Sequence, residues 1–118
     1  MALVNSRRIT FEVDTPLKGQ AAFGLLADVR RIPPDRYDQL YLWLGEVDGI
    51  DATGVAVLVR IHGHLLTRSK RLALVGVQES VRANLERVGL LSVIPLAPEE
   101  NARTRSVLQW GRNPPPPA

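Results

Sequence analysis

The sequence predicts an α/β domain, a single sheet of about four to five mostly parallel strands with about four helices packed on it. Three observations lead there. The apolar runs Leu40-Tyr41-Leu42-Trp43-Leu44 and Leu72-Ala73-Leu74-Val75 are too short for most helices and too continuous for a strand with a wet face. They read as strands buried on both sides, as in parallel sheets. Between such runs, apolar residues recur three and four apart, the spacing of a helix that covers a sheet. At the key junction, Asp51-Ala52-Thr53-Gly54 forms a turn that hands a strand over to a helix. Repeated strand-helix alternation implies parallel strands joined by right-handed crossovers.

Each element follows in order. Arg8-Ile9-Thr10-Phe11-Glu12-Val13 alternates polar and apolar, as a strand with one solvated face does. Thr15 reads as a helix cap and Pro16 as the first helical residue, where a missing amide proton costs nothing. Leu17, Ala21, Leu25, Val29 and Ile32 then form an apolar stripe, and Pro33-Pro34 ends the helix. After the Leu40 strand, Val47-Asp48-Gly49-Ile50 leads to Asp51, whose carboxylate can accept hydrogen bonds from the first free amides of a helix. That helix runs to about Ser69 with a wide apolar arc of Val55, Leu58, Val59, Ile61, Leu65 and Leu66. The strand Arg71 to Val77 follows, and then a helix from Gln78 to Val88, stopped by Gly89. Ser92 to Leu96 reads as a last strand at a sheet edge, because Pro95 has no amide to donate. Pro98 opens a final helix, with Glu99 and Glu100 in its first turn.

At 118 residues, the chain can build one core but not two. Residues 1–112 are expected to form one domain, followed by a solvated, proline-rich tail at 113–118. The net charge is only +3, and the basic pairs Arg7-Arg8, Arg30-Arg31 and Lys70-Arg71 lie far apart, so nucleic acid is not an expected partner. Without cysteine, disulfides and thiolate chemistry are excluded. No stretch has the length of a membrane span or the pattern of a secretory signal, which implies a cytoplasmic protein without membrane insertion.

The second half resembles the STAS domain, the fold of bacterial anti-sigma-factor antagonists and of the cytoplasmic ends of sulfate transporters. The resemblance rests on Val47-Asp48-Gly49-Ile50-Asp51-Ala52-Thr53-Gly54-Val55-Ala56-Val57-Leu58, which is similar to that family's strand, Asp-Ser-Ser-Gly or Asp-Ser-Thr-Gly turn, and helix. Leu72 to Val77, Val81-Arg82-Ala83-Asn84-Leu85, Val88-Gly89-Leu90-Leu91 and Ile94-Pro95-Leu96 match later elements in the right order. The resemblance implies that Thr53, immediately before Gly54, occupies the position phosphorylated in switched members of the family. It further implies an anti-sigma factor with serine-kinase character as partner, contacted through Asp51, Ala52, Thr53, Gly54 and Val55, and a chain that is monomeric or weakly dimeric. The pattern is broken in two places. The family's Gly-Glu-Leu-Asp signature in its first strand pair is replaced by a single strand and Asp14-Thr15-Pro16, and Ala52 stands for the first serine, which leaves one hydroxyl in the turn.

Thr53 therefore has two readings, a modified switch or a residue that caps the helix or fills the turn; Asp51 either orients the loop or helps a kinase engage the hydroxyl, or it is a helix cap. Asp48 and Asp51 lack a third ligand, so no magnesium site is expected. His62 and His64 are two apart, which on a helix points them in nearly opposite directions rather than at one ion. His62 falls within the apolar arc and is expected in the core or at its edge, and His64 nearer the polar boundary. No nucleotide loop and no Ser-His-Asp arrangement is found, and no cofactor or catalytic residue is expected. Trp43 reads as core, whereas Trp110 fits either an inward packing or a partner contact. The function expected is a non-catalytic regulatory module that binds a kinase-type anti-sigma factor and is switched at Thr53. The alternatives are a constitutive STAS scaffold, such as a stressosome component or the partner of a transport ATPase, and a small ligand-binding domain using the carboxyl ends of the strands.

Overall fold

The structure, a computed structural model, describes residues 7–98. Within them, β1 (Arg8–Glu12), β2 (Gln39–Trp43) and β3 (Arg71–Val75) form one sheet in that order, with both pairs parallel. The register aligns Ile9 with Leu40 and Leu72, and Phe11 with Leu42 and Leu74. Because side chains alternate along a strand, these rows share one face. They form the main core with buried residues of α1 (Ala22–Arg31), α2 (Ala52–Leu66) and α3 (Glu79–Arg87). The intervening rows turn Tyr41, Ala73 and Val75 to the opposite face, in a smaller cluster with Trp43 and Ala97. The Leu40–Leu44 run is thus buried on both sides, as its composition implied.

The expected architecture is met with fewer elements: three strands and three α-helices among the described residues. The expected last strand shrinks to a 3₁₀ turn at Leu90–Ser92 and one parallel bridge between Leu74 and Leu96. There the Pro95 carbonyl accepts from Leu74 N–H (2.9 Å), and Ala97 N–H donates to the Leu74 carbonyl (2.8 Å). Proline is tolerated because only its carbonyl is needed. The strand expected to reach Val77 stops at Val75, ahead of Gly76 at φ +68°. The helix after Pro98, Trp110 and the tail at 113–118 lie outside the described residues.

The first helix begins later than its stripe suggests. Thr15 is buried but caps nothing, and Leu17 pairs with Ile50 as a parallel bridge, its carbonyl accepting from Asp51 N–H at 3.3 Å. A residue committed to that bridge cannot begin a helix. Gly19, at φ +56°, then reverses the chain into a 3₁₀ turn (Gly19–Ala21), and α1 follows with Ala22, Leu25, Leu26 and Val29 buried. It ends at Arg31, where Ile32 turns extended before Pro33.

The α2 helix is also rotated from the expected arc. Its buried stripe is Gly54, Val57, Leu58, Ile61 and Leu65, while Val59 and Leu66 are 47% and 54% exposed. Since nearly every side of this helix carries apolar residues, periodicity alone leaves its rotation open. Gly54 decides it. A Cβ there would run into the Leu17 carbonyl oxygen and come within 2.7 Å of Ile50 Cγ1. Only a glycine lets α2 approach the Leu17 backbone so closely.

Candidate functional site

The loops at the carboxyl ends of β1 and β2 meet at the amino end of α2, and Asp51 ties them together. Its backbone is extended (φ −112°, ψ −173°), as an N-cap requires. Oδ1 accepts from Gly54 N–H at 2.9 Å and Oδ2 accepts from Gly19 N–H at 2.9 Å. One carboxylate thus caps α2 and pins the loop that precedes α1. The Gly54 amide first, and then the Gly19 amide, hold the Asp51 carboxyl below the usual carboxylate range. The structural reading of Asp51 as a helix cap is what this geometry shows.

The loop after β2 is held from the other side. Gln78 Nε2 donates to the Gly45 carbonyl (2.7 Å), and Ser80 Oγ donates to the Asp48 carbonyl (3.2 Å). The Trp43 ring fills the space beside Gly45 and Gly76, where added Cβ atoms would lie 2.6 Å and 2.8 Å from it. Turn 51–54 is therefore fastened to the Leu17–Gly19 segment, and the loop that leads into it is held by the start of α3.

Within that frame Thr53 is half-buried in the first turn of α2, and among the described residues its hydroxyl has no hydrogen-bond partner. Ala52 is exposed, Gly54 buried and Val55 half-buried against the core. The five residues named from the sequence lie together, but they do not form one surface: Gly54 is the internal spacer, while Ala52, Val55 and part of Thr53 reach the outside.

The carboxylates do not converge. Asp51 spends both oxygens on amides, whereas Asp48 borders a separate cavity of about 140 Å³ with Asp14, Glu46 and Lys18. No cluster of three metal-ligating side chains occurs among the described residues. His62 is half-buried with its Nδ1 atom enclosed, at the core edge as expected. His64 Nδ1 lies 3.2 Å from Arg68 Nη1. Since a guanidinium only donates, the ring nitrogen accepts there, which requires a neutral imidazole. Burial first, then the Arg68 and Arg30 cations, push the His64 pKa down.

Several residues of the site were not legible from spacing. Gly19 lies within the stretch that helical spacing assigns to the first helix, and Gln78 at the start of the third. On the flank of the turn, Asn84, Arg87 and Val88 at the end of α3 join Ile50, Asp51, Ala52 and Val55 around a cleft of about 290 Å³. Helical spacing places Val88 on one side with Val81 and Leu85, but only those two are buried, and Val88, where α3 ends before Gly89, is 57% exposed.

Among the described residues, no helix is long and apolar enough to cross a membrane. Three solved structures show the same fold. A sulfate transporter family protein from Wolinella succinogenes is 22% identical over 79% of this chain and 75% of its own, with a TM-score of 0.63. The SulP transporter STAS domain from Vibrio cholerae is 18% identical over 78% and 71%, with a TM-score of 0.62. A candidate anti-sigma factor antagonist from Thermotoga maritima is 20% identical over 75% and 71%, with a TM-score of 0.59. No curated protein matches the sequence significantly. The sequence model of the STAS domain matches residues 2–102, which carries the resemblance well beyond the second half, and the chain belongs to the STAS domain family.

Proposed function

We propose that this STAS domain is a non-catalytic regulatory module that docks on a kinase-type anti-sigma factor and is released when Thr53 is phosphorylated. The observation that carries this reading is Thr53, half-buried on the first turn of a helix whose cap is fastened by Asp51, with no hydrogen-bond partner for its hydroxyl among the described residues. A phosphate there adds roughly −1.5 to −2 charges and three strong acceptors. The positive end of α2 accommodates that charge within the domain, so the fold survives and the effect falls on whatever covers the turn. The fold likeness to both a candidate anti-sigma factor antagonist and transporter STAS domains supports protein docking in general; the hydroxyl position favours the switched form.

The test is incubation of wild type and Thr53→Ala with ATP and the kinase fraction of the native cells. Label is expected in wild type and absent from Thr53→Ala. Equal labelling would move the site elsewhere. No labelling, together with a partner retained by Thr53→Glu, would identify a constitutive scaffold.

A further inference from the structure

We infer that the cleft between the start of α2 and the end of α3 is the specificity half of the docking surface, and that it receives an apolar side chain flanked by a carboxylate on the partner protein. The inference rests on the reading of the Thr53 turn as a docking site, and it adds the chemistry of what docks.

The cleft of about 290 Å³ has an apolar lining of Ile50, Ala52, Val55 and Val88. Val88 is 57% exposed, and one helical turn beyond Val55, Val59 is 47% exposed, so the apolar strip continues along α2 outside the cleft. Two charged groups stand at its walls, and they are not equivalent. Asp51 has both oxygens engaged by the Gly54 and Gly19 amides. Arg87 is exposed, its guanidinium donates to Asn84 Oδ1 on its own helix, and it forms no ion pair among the described residues. In contrast, Arg82 on the same helix is paired with both Glu79 and Glu86. Among the described residues, the charged group at the cleft with hydrogen-bonding capacity to spare is therefore Arg87, a planar donor suited to a carboxylate.

Charge complementarity thus selects an acidic segment with an apolar anchor. A second copy of this chain fits poorly, because a two-fold contact centred on the cleft would set Arg87 against Arg87. The same chemistry gives the switch its sign. A partner that brings a carboxylate to this end of α2 is repelled by a phosphate on Thr53, one residue from Ala52 in the lining.

The experiment uses the full chain, labelled with nitrogen-15, and short synthetic peptides that carry leucine beside glutamate, with matched peptides bearing glutamine or lysine in its place. The acidic peptides are expected to shift the amides of Ala52, Val55, Asn84 and Val88. The glutamine versions should bind more weakly, and the lysine versions should not bind. In Arg87→Glu, affinity for the acidic peptide should fall by at least about tenfold, and the lysine peptide should now be preferred. Shifts that are equal for acidic and lysine peptides, shifts confined to other surfaces, no binding by any peptide at millimolar concentration, or dimerisation through the cleft would each overturn the inference. The Thr53→Glu variant separates the two proposals. If it keeps the acidic peptide while Arg87→Glu loses it, the cleft stands and the switch fails. If Arg87→Glu keeps the peptide, the cleft fails whatever happens at position 53.

Discussion

Replacing Gly54 with alanine sets two predictions of opposite sign against each other. In an exposed helix interior, Gly→Ala stabilises by about 1 kcal/mol through propensity. At position 54, however, the new Cβ would run into the Leu17 carbonyl oxygen and lie 2.7 Å from Ile50 Cγ1 and 2.9 Å from the Leu17 carbonyl carbon. Two of those atoms are backbone and cannot swing aside. The start of α2 must back away, straining a well-packed contact at a cost of about 1–3 kcal/mol. The Asp51 N–H bond to Leu17 breaks as well, a further loss of about 1 kcal/mol. The net is a destabilisation of about 1–3 kcal/mol, or a fall in Tm of roughly 4–12 °C for a domain this size. Gly63, on the same helix with nothing within 4 Å of its added Cβ, is the control. Gly63→Ala should raise Tm by a few degrees at most. Thermal unfolding by circular dichroism, with urea titration at fixed temperature, reads both variants. If Gly54→Ala stabilises as Gly63→Ala does, the close approach of α2 to the Leu17 backbone is wrong.

Three further outcomes are expected. Leu58→Ala, at a fully buried position of α2, should cost about 2–5 kcal/mol, measured by denaturant unfolding; a change below about 1 kcal/mol would show that α2 does not pack as described. Asp51→Ala should lower Tm in a pH-dependent manner. Because the folded carboxyl is held below its unfolded value of about 3.9, the contribution of Asp51 is complete above that pH and is lost as pH falls through the lower folded value. The Tm gap from wild type should therefore narrow in acid, and a gap unchanged as pH falls would contradict the carboxylate's bonds to the two amides. Thr53→Glu should leave Tm within a few degrees of wild type, since an acid in the first helical turn suits the dipole; a large loss of stability would show that position 53 cannot carry charge without unfolding the turn.

What could be read from the chain divides along physical lines. The Leu40 and Leu72 strands and the Asp51 cap are set by local composition, and all three are present, with the Leu72 strand ending two residues short at Val75. The start of α1 was misread because Leu17, Ala21 and Leu25 keep helical spacing by coincidence; the contact that overrides it, Leu17 with Ile50, is thirty-three positions away in sequence. The rotation of α2 was hidden for a related reason. With Val55, Val57, Val59 and Leu66 all apolar, only the approach at Gly54 selects the inner face. Within the site, the motif residues were visible, whereas Gly19, Gln78 and Arg87 were not. Their roles are created by segments that meet only after folding.

The central claim is that the Thr53 turn is a surface another protein covers and a negative charge clears. The most direct measurement is quantitative affinity isolation from native cell extract with wild type, Thr53→Val and Thr53→Glu. A partner with anti-sigma or serine-kinase character retained by wild type and Thr53→Val, and reduced at least about tenfold by Thr53→Glu, is the predicted result. Equal retention by all three proteins would contradict it.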